Sequence, residues 1–263
     1  MRDLGILWRQ TRYAVIGSLR NSRAVVFGIV FPVVLLVMFN SIFSSGPNAT
    51  DHFHHVVVST RAYFTAGLAA YAIMLQSFST LAIAVTTQRE SGQLKRLRGT
   101  PMRPWTFVGA HMLRAILFAI TMVIALLAIG RTVFSVELTR NALTGVAVYV
   151  TLGASVMATL GMAITAYTPT VDAVSSVGPF TAVILSFISG VFIPVSVLPD
   201  WLAQIGRVFP LEPLADGLQR AVTGAGRGTG LTVHNVVLLA VWGVVGLVVA
   251  ARQFRWVPQG VGA

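Results

Sequence analysis

Few residues in this chain could do covalent or metal chemistry, and their spacing excludes more than it permits. The segment Asp51-His52-Phe53-His54-His55 gathers imidazoles and a carboxylate, a donor set that suits zinc or copper. No second cluster elsewhere completes such a site, so a plain polar loop is expected there. The only lysine is Lys95, and no G-x-x-x-x-G-K precedes it, so the chain lacks the lysine-bearing phosphate loop of that class of nucleotide hydrolase. H-E-x-x-H, G-x-S-x-G and S-x-x-K are also absent. The absence of cysteine removes thiolate nucleophiles, thiolate metal sites and disulfides together. No catalytic, cofactor-binding or metal residue is therefore assigned.

The remaining dense polar feature is the island Arg89-Glu90-Ser91-Gly92-Gln93-Leu94-Lys95-Arg96-Leu97-Arg98-Gly99-Thr100-Pro101, set between two long apolar runs. Such a concentration of charge must face water. The elements around it are fixed by composition: 55% of the 263 residues are hydrophobic and 10% charged, against roughly a quarter charged in a soluble domain. This is the composition of a membrane protein, and one domain of this length could not bury so large an apolar excess in a soluble core.

A helix needs about 20 apolar residues to cross a hydrocarbon core ~30 Å thick. Six runs qualify, at 24–43, 63–85, 105–129, 142–167, 174–193 and 231–251. Each must be helical, since lipid offers no partner for bare backbone amides. The expected fold is therefore an all-α polytopic membrane protein, a single transmembrane domain over 1–263 with six spans. Ahead of the first run, Leu4, Leu7, Trp8, Ile16 and Leu19 recur at helical spacing among arginines, which predicts an N-terminal helix lying along the membrane interface. The segment 194–230 is too short to fold alone and too apolar for a free loop. Two short helices in a re-entrant hairpin before the last span are expected there.

Of the 19 cationic residues, 13 fall on the side holding both termini and the island, and 6 fall on the other. Both termini are thus expected to be cytoplasmic. The net charge of +11 sits at the flanks of the apolar runs and not on one face, which suits anionic lipid and argues against nucleic acid as a partner. His111 and Arg114 open the third run, and Arg114 is expected to snorkel to the inner interface. No acid falls in the middle of any run, so the ionic relay of a proton- or sodium-driven carrier is missing. If the chain moves something, its energy comes from outside the chain. Small residues at Gly153, Ser155, Gly161 and Ala163 suit close helix contact.

Read as one helix, 88–98 places Leu94 and Leu97 together on an exposed face, with Lys95, Arg96 and Arg98 around the others. Gly99 and Pro101 stop it. A short helix with two exposed leucines would fit a partner's groove, whereas an ordinary basic loop would serve topology alone.

The run Gln88-Arg89-Glu90-Ser91-Gly92-Gln93-Leu94-Lys95-Arg96-Leu97-Arg98-Gly99-Thr100-Pro101 resembles the E-x-G-x-L-x-R-L-x-x-x-P segment of type-2 ABC transporter permeases, especially the daunorubicin-resistance-like drug exporters. Ser189-Gly190-Val191-Phe192-Ile193-Pro194, Leu198-Pro199-Asp200-Trp201-Leu202 and Phe209-Pro210-Leu211 are similar to that family's region before its last span. A departure is Ala66-Gly67, where many members carry Pro-Gly. The resemblance covers essentially the whole chain.

It implies the membrane subunit of an exporter in a bacterial inner membrane, moving hydrophobic or amphipathic small molecules such as antibiotics or lipids. It implies a second permease, identical or a sister chain, and two separate ATPase subunits that carry ATP and Mg, none being bound by this chain. Arg89, Glu90, Gly92, Leu94, Arg96, Leu97 and Pro101 would form the coupling helix. Pro194, Leu198, Pro199, Trp201, Phe209 and Pro210 would build the external gate hairpin. Met38, Asn40, Met74, Gln76, Phe78, Ser79, Phe180 and Phe187 are candidates to line a substrate path. The same frame suits export of polysaccharide or complex lipid. A rival from another class is a membrane-embedded enzyme or scaffold working without ATP.

Overall fold

A computed structural model describes residues 2–19, 26–43, 50–53, 56–98, 104–168, 170–225 and 228–253. The leading helix α1 (Arg2–Leu19) packs along the long helix Pro104–Phe134. A π-helical turn, Val26–Val30, runs into α2 (Phe31–Phe43). A two-stranded antiparallel hairpin follows, β1 (Thr50–Phe53) with β2 (Val56–Ser59), in the register Thr50 opposite Ser59 and Phe53 opposite Val56. The loop expected around Asp51 and His52 is thus a ladder. Phe53 and Val58 point to one side and bury against Tyr63 and Phe64, which explains why this stretch is ordered as strands. His54 and His55 lie outside the described residues.

The central element is α3 (Thr60–Glu90), 31 residues long and almost wholly enclosed by its neighbours. Midway it widens into a π segment, Leu75–Thr80. There Gln76 donates from Nε2 to the Gly28 carbonyl at 3.2 Å. A Cβ at Gly28 would stand 2.4 Å from Gln76 Nε2, so a larger residue there would displace the Gln76 amide. After α3 come the short α4 (Gln93–Arg98) and then α5 (Pro104–Phe134), α6 (Arg140–Ile164) and α7 (Val171–Ile188). Two further short helices, α8 (Asp200–Val208) and α9 (Leu211–Thr223), precede the last long helix, α10 (Val233–Gln253).

Among the described residues, five helices are long and apolar enough to cross a membrane: α3, α5, α6, α7 and α10. The first apolar run gives a shorter helix, Gly28–Phe43, with residues 20–25 outside the described part. The run at 174–193 breaks after Ile188, where Ser189 and Gly190 turn the chain. The break has a physical cause: Gly190 takes a φ of +74°, open to glycine and costly for other residues. The main core gathers α3 with α5, α6, α9 and α10, and a second cluster closes the end that carries α4.

Candidate functional site

The island begins where α3 ends, and two adjacent side chains there reach across to the turn between α6 and α7. Arg89 is 1% exposed. Its Nη1 donates to the Thr165 carbonyl at 2.6 Å and its Nη2 to the Thr168 carbonyl at 2.7 Å. Those oxygens follow the last turn of α6, where a helix leaves carbonyls without internal partners and where its dipole is negative. Glu90 takes the other half of the turn: its Oε1 accepts from the Val171 backbone N–H at 2.8 Å, at the first residue of α7. That end is positive and rich in unmatched N–H groups. Thr170 assists as the N-cap, accepting from the Ala173 N–H at 3.2 Å. A cation thus holds one helix's C-terminus and its neighbouring anion holds the next helix's N-terminus. Charge-assisted bonds of this kind are short and about twice as strong as neutral ones.

The single helix expected over 88–98 is two. The Ser91 N–H still bonds back to the Thr87 carbonyl at 3.0 Å and the Gly92 N–H to the Arg89 carbonyl at 3.1 Å, which close α3. Gly92 then takes a φ of +71°, and α4 starts on a new axis. Leu94 is not the exposed knob that its spacing suggested. It is fully buried among Leu81, Val85, Phe107, Ala115 and Met162, because the bend turns its face inward onto α3, α5 and α6. The surface of α4 is instead polar, with Gln93, Lys95 and Arg96 exposed. The Leu97 side chain and Pro101 lie outside the described residues.

Arg114 also departs from expectation. It is 2% exposed and does not snorkel outward. Phe107, His111, Arg114 and Phe118 follow one another at three- and four-residue steps, a single stripe of α5 directed into the bundle. The Arg114 guanidinium carbon stands 5.9 Å from the Phe118 ring centre, and the His111 and Phe107 rings meet edge-on at 4.5 Å.

At the opposite end, the turn after α7 is pinned from two sides. The Gly190 carbonyl accepts from Tyr63 Oη at 2.7 Å and from Gln219 Nε2 at 2.9 Å. Phe192 stacks on Phe39 at 5.4 Å and meets Tyr71 and Phe187 at 5.2 Å each. Tyr63 and Gln219 escaped the sequence reading; a tyrosine opening a long apolar run and an amide on the apolar stripe of α9 were the available signals. The residues proposed for the gate are strung around this point. Pro194 leads a short 3₁₀ turn, Pro199 precedes α8, Leu198 is half-buried and Trp201 is exposed on α8. Phe209 and Pro210 form the bend into α9. The Val208 carbonyl beside them accepts from Trp242 Nε1 of α10 at 2.8 Å.

The candidate path residues divide. Asn40, Met74, Gln76, Phe78 and Ser79 are buried inside this chain, with Asn40 Nδ2 donating to Thr65 Oγ1 at 3.4 Å. Met38 on α2 and Phe180 and Phe187 on α7 are exposed on its outer surface. One chain by itself does not bring the eight together. Arg89 and Glu90 tie the end of α3, beside a polar surface helix, to the turn joining two long helices.

Residues 6–222 match the family described as ABC-2 type transporter. A protein of Bacillus subtilis (strain 168) named "Putative transport permease YvfS" is 20% identical over 236 residues, which cover 90% of this chain and 91% of that protein. With its bundle of long apolar helices, the chain belongs to the ABC-2 type transporter family, as a multi-pass membrane subunit of an ABC transporter.

Proposed function

We propose that this chain is the permease of an ATP-driven exporter of hydrophobic or amphipathic small molecules, an antibiotic, drug or lipid, in a bacterial inner membrane. It works with a second permease, identical or a sister chain, and with two ATPase subunits that bind ATP and Mg. Arg89, Glu90, Gly92, Leu94, Arg96, Leu97 and Pro101 form or position the coupling helix. Gln93, Lys95 and Arg96 offer the polar surface that the ATPase grips, while Leu94 anchors the helix to the bundle. The helices α8 and α9 form a re-entrant hairpin on the external face, and both termini are cytoplasmic.

The observation that carries this reading is the joint from Arg89 and Glu90 to the α6–α7 turn. A push on α4 moves three long helices through three charge-assisted bonds, which is how a separate motor could drive a chain with no fuel-burning site of its own. The hairpin is supported by the bond from Trp242 to Val208: Trp242 lies nine residues inside α10, about 13 Å at 1.5 Å per residue. The missing acids in the spans support an external energy source.

The test is co-reconstitution with the partner ATPase in vesicles. In Glu90→Ala, transported cargo per ATP hydrolysed is expected to fall at least tenfold while hydrolysis and membrane insertion continue. Unchanged transport per ATP in that variant overturns the coupling role.

A further inference from the structure

A cavity of about 890 Å³ lies between the hairpin and the last long helix, at the upper end of the size range of small-molecule sites. One wall is charged. Glu212, Asp216 and Arg220 follow at four-residue steps along α9, and Arg207 adds a second cation from the last turn of α8. Part of this wall is rigid: Asp216 Oδ2 accepts from Arg220 Nε and from Asn235 Nδ2, each at 2.7 Å. The facing wall belongs to α10 and changes character along its length. It is polar at His234 and Asn235, then apolar at Leu238, Val241, Trp242 and Val245. The coupling joint does not touch this groove, which sits at the other end of the bundle.

We propose that this groove binds a zwitterionic phospholipid drawn sideways from the bilayer. Three features point to that ligand. The charged wall holds two cations and two anions, so it has no net charge to attract a purely anionic headgroup and matches one that carries both signs. The apolar half of α10 continues onto side chains exposed on the outer surface, Val241 and Val245, where an acyl chain can lie. From His234 to Val245 is eleven residues, about 16 Å at 1.5 Å per residue, against ~15 Å for half of a hydrocarbon core. The groove is therefore one leaflet deep; its charged wall descends from Asp216, bonded to Asn235, to Arg207, beside the Val208 carbonyl that Trp242 meets, and the chains lie along α10 on the facing side. A bound lipid would wedge the hairpin against α10.

Native mass spectrometry of the detergent-purified full chain tests this, with phosphatidylethanolamine and phosphatidylglycerol added as probes at equal concentration. Wild type is expected to retain one phosphatidylethanolamine at least fivefold over phosphatidylglycerol. Val241→Trp, which fills the groove, should lower that retention at least tenfold, and Val244→Trp, on the same helix but outside the groove, should leave it unchanged. Arg207→Gln alters an exposed residue and should abolish the preference between the two lipids even if Val241→Trp fails to fold. Equal retention of both lipids by wild type overturns the proposal, as does unchanged preference in Arg207→Gln.

Discussion

Arg89 and Glu90 are neighbours of opposite sign, and each meets the helix end that its charge suits. Removing the guanidinium in Arg89→Met would strand two buried carbonyls and break two charge-assisted bonds, a loss on the order of 3 kcal/mol. A lower melting temperature in detergent is the expected outcome, and Arg89→Lys should rescue it only partly, since an ammonium cannot span both oxygens in fork geometry. At Leu94 the prediction follows from burial: Leu94→Ala should cost about 2–5 kcal/mol, measured by the same unfolding transition. An aspartate there would unseat α4 altogether, so it cannot separate coupling from folding. The position of this polar segment between two long helices was legible in its charge density. What the residues touch was not, because helical spacing assigns faces only while the helix stays straight, and Gly92 bends it. The partners of Arg89 were invisible for another reason: they are backbone oxygens, which every sequence supplies.

Among the elements, long apolar runs mark where long helices lie, since no other backbone satisfies itself in lipid. Their ends were less legible. Helix α5 continues to Phe134, beyond the apolar run at 105–129, and α7 stops short at Ile188. Both differences arise from tertiary contacts and backbone geometry that hydropathy does not encode. The β-hairpin was hidden because its two inward residues, Phe53 and Val58, gain order only from Tyr63 and Phe64 beneath them. The turn at Gly190 gives an element-level prediction. Tyr63→Phe removes one of two donors to its carbonyl and should cost about 1 kcal/mol. Faster amide exchange over 189–193, with exchange in α4 unchanged, would check that the effect stays at this end.

For the whole molecule, the arrangement of charge around the spans predicts an orientation, and a chain without cysteine is suited to testing it. Val57 on the hairpin and Lys95 on α4 are both exposed and lie beyond opposite ends of α3. In intact cells a membrane-impermeant maleimide should label Val57→Cys, and it should label Lys95→Cys only after permeabilisation. The reverse pattern would invert the topology. Family membership was legible from the motifs around Glu90 and Gly190. The split of the path residues between the interior and the outer surface emerged only once the helices were placed, because apolar residues on a helix look alike in sequence whichever way they face.

The grip on the α6–α7 turn has an evolutionary corollary. Since Arg89 fastens to main-chain oxygens of Thr165 and Thr168, the identities of those two threonines carry none of the attachment. Drift at 165 and 168 would leave the fastening whole, whereas drift at 89 would undo it. Selection would therefore leave a one-sided trace, a constrained arginine without a matching mutable partner, and searches for paired substitutions would pass over the strongest tie between these segments.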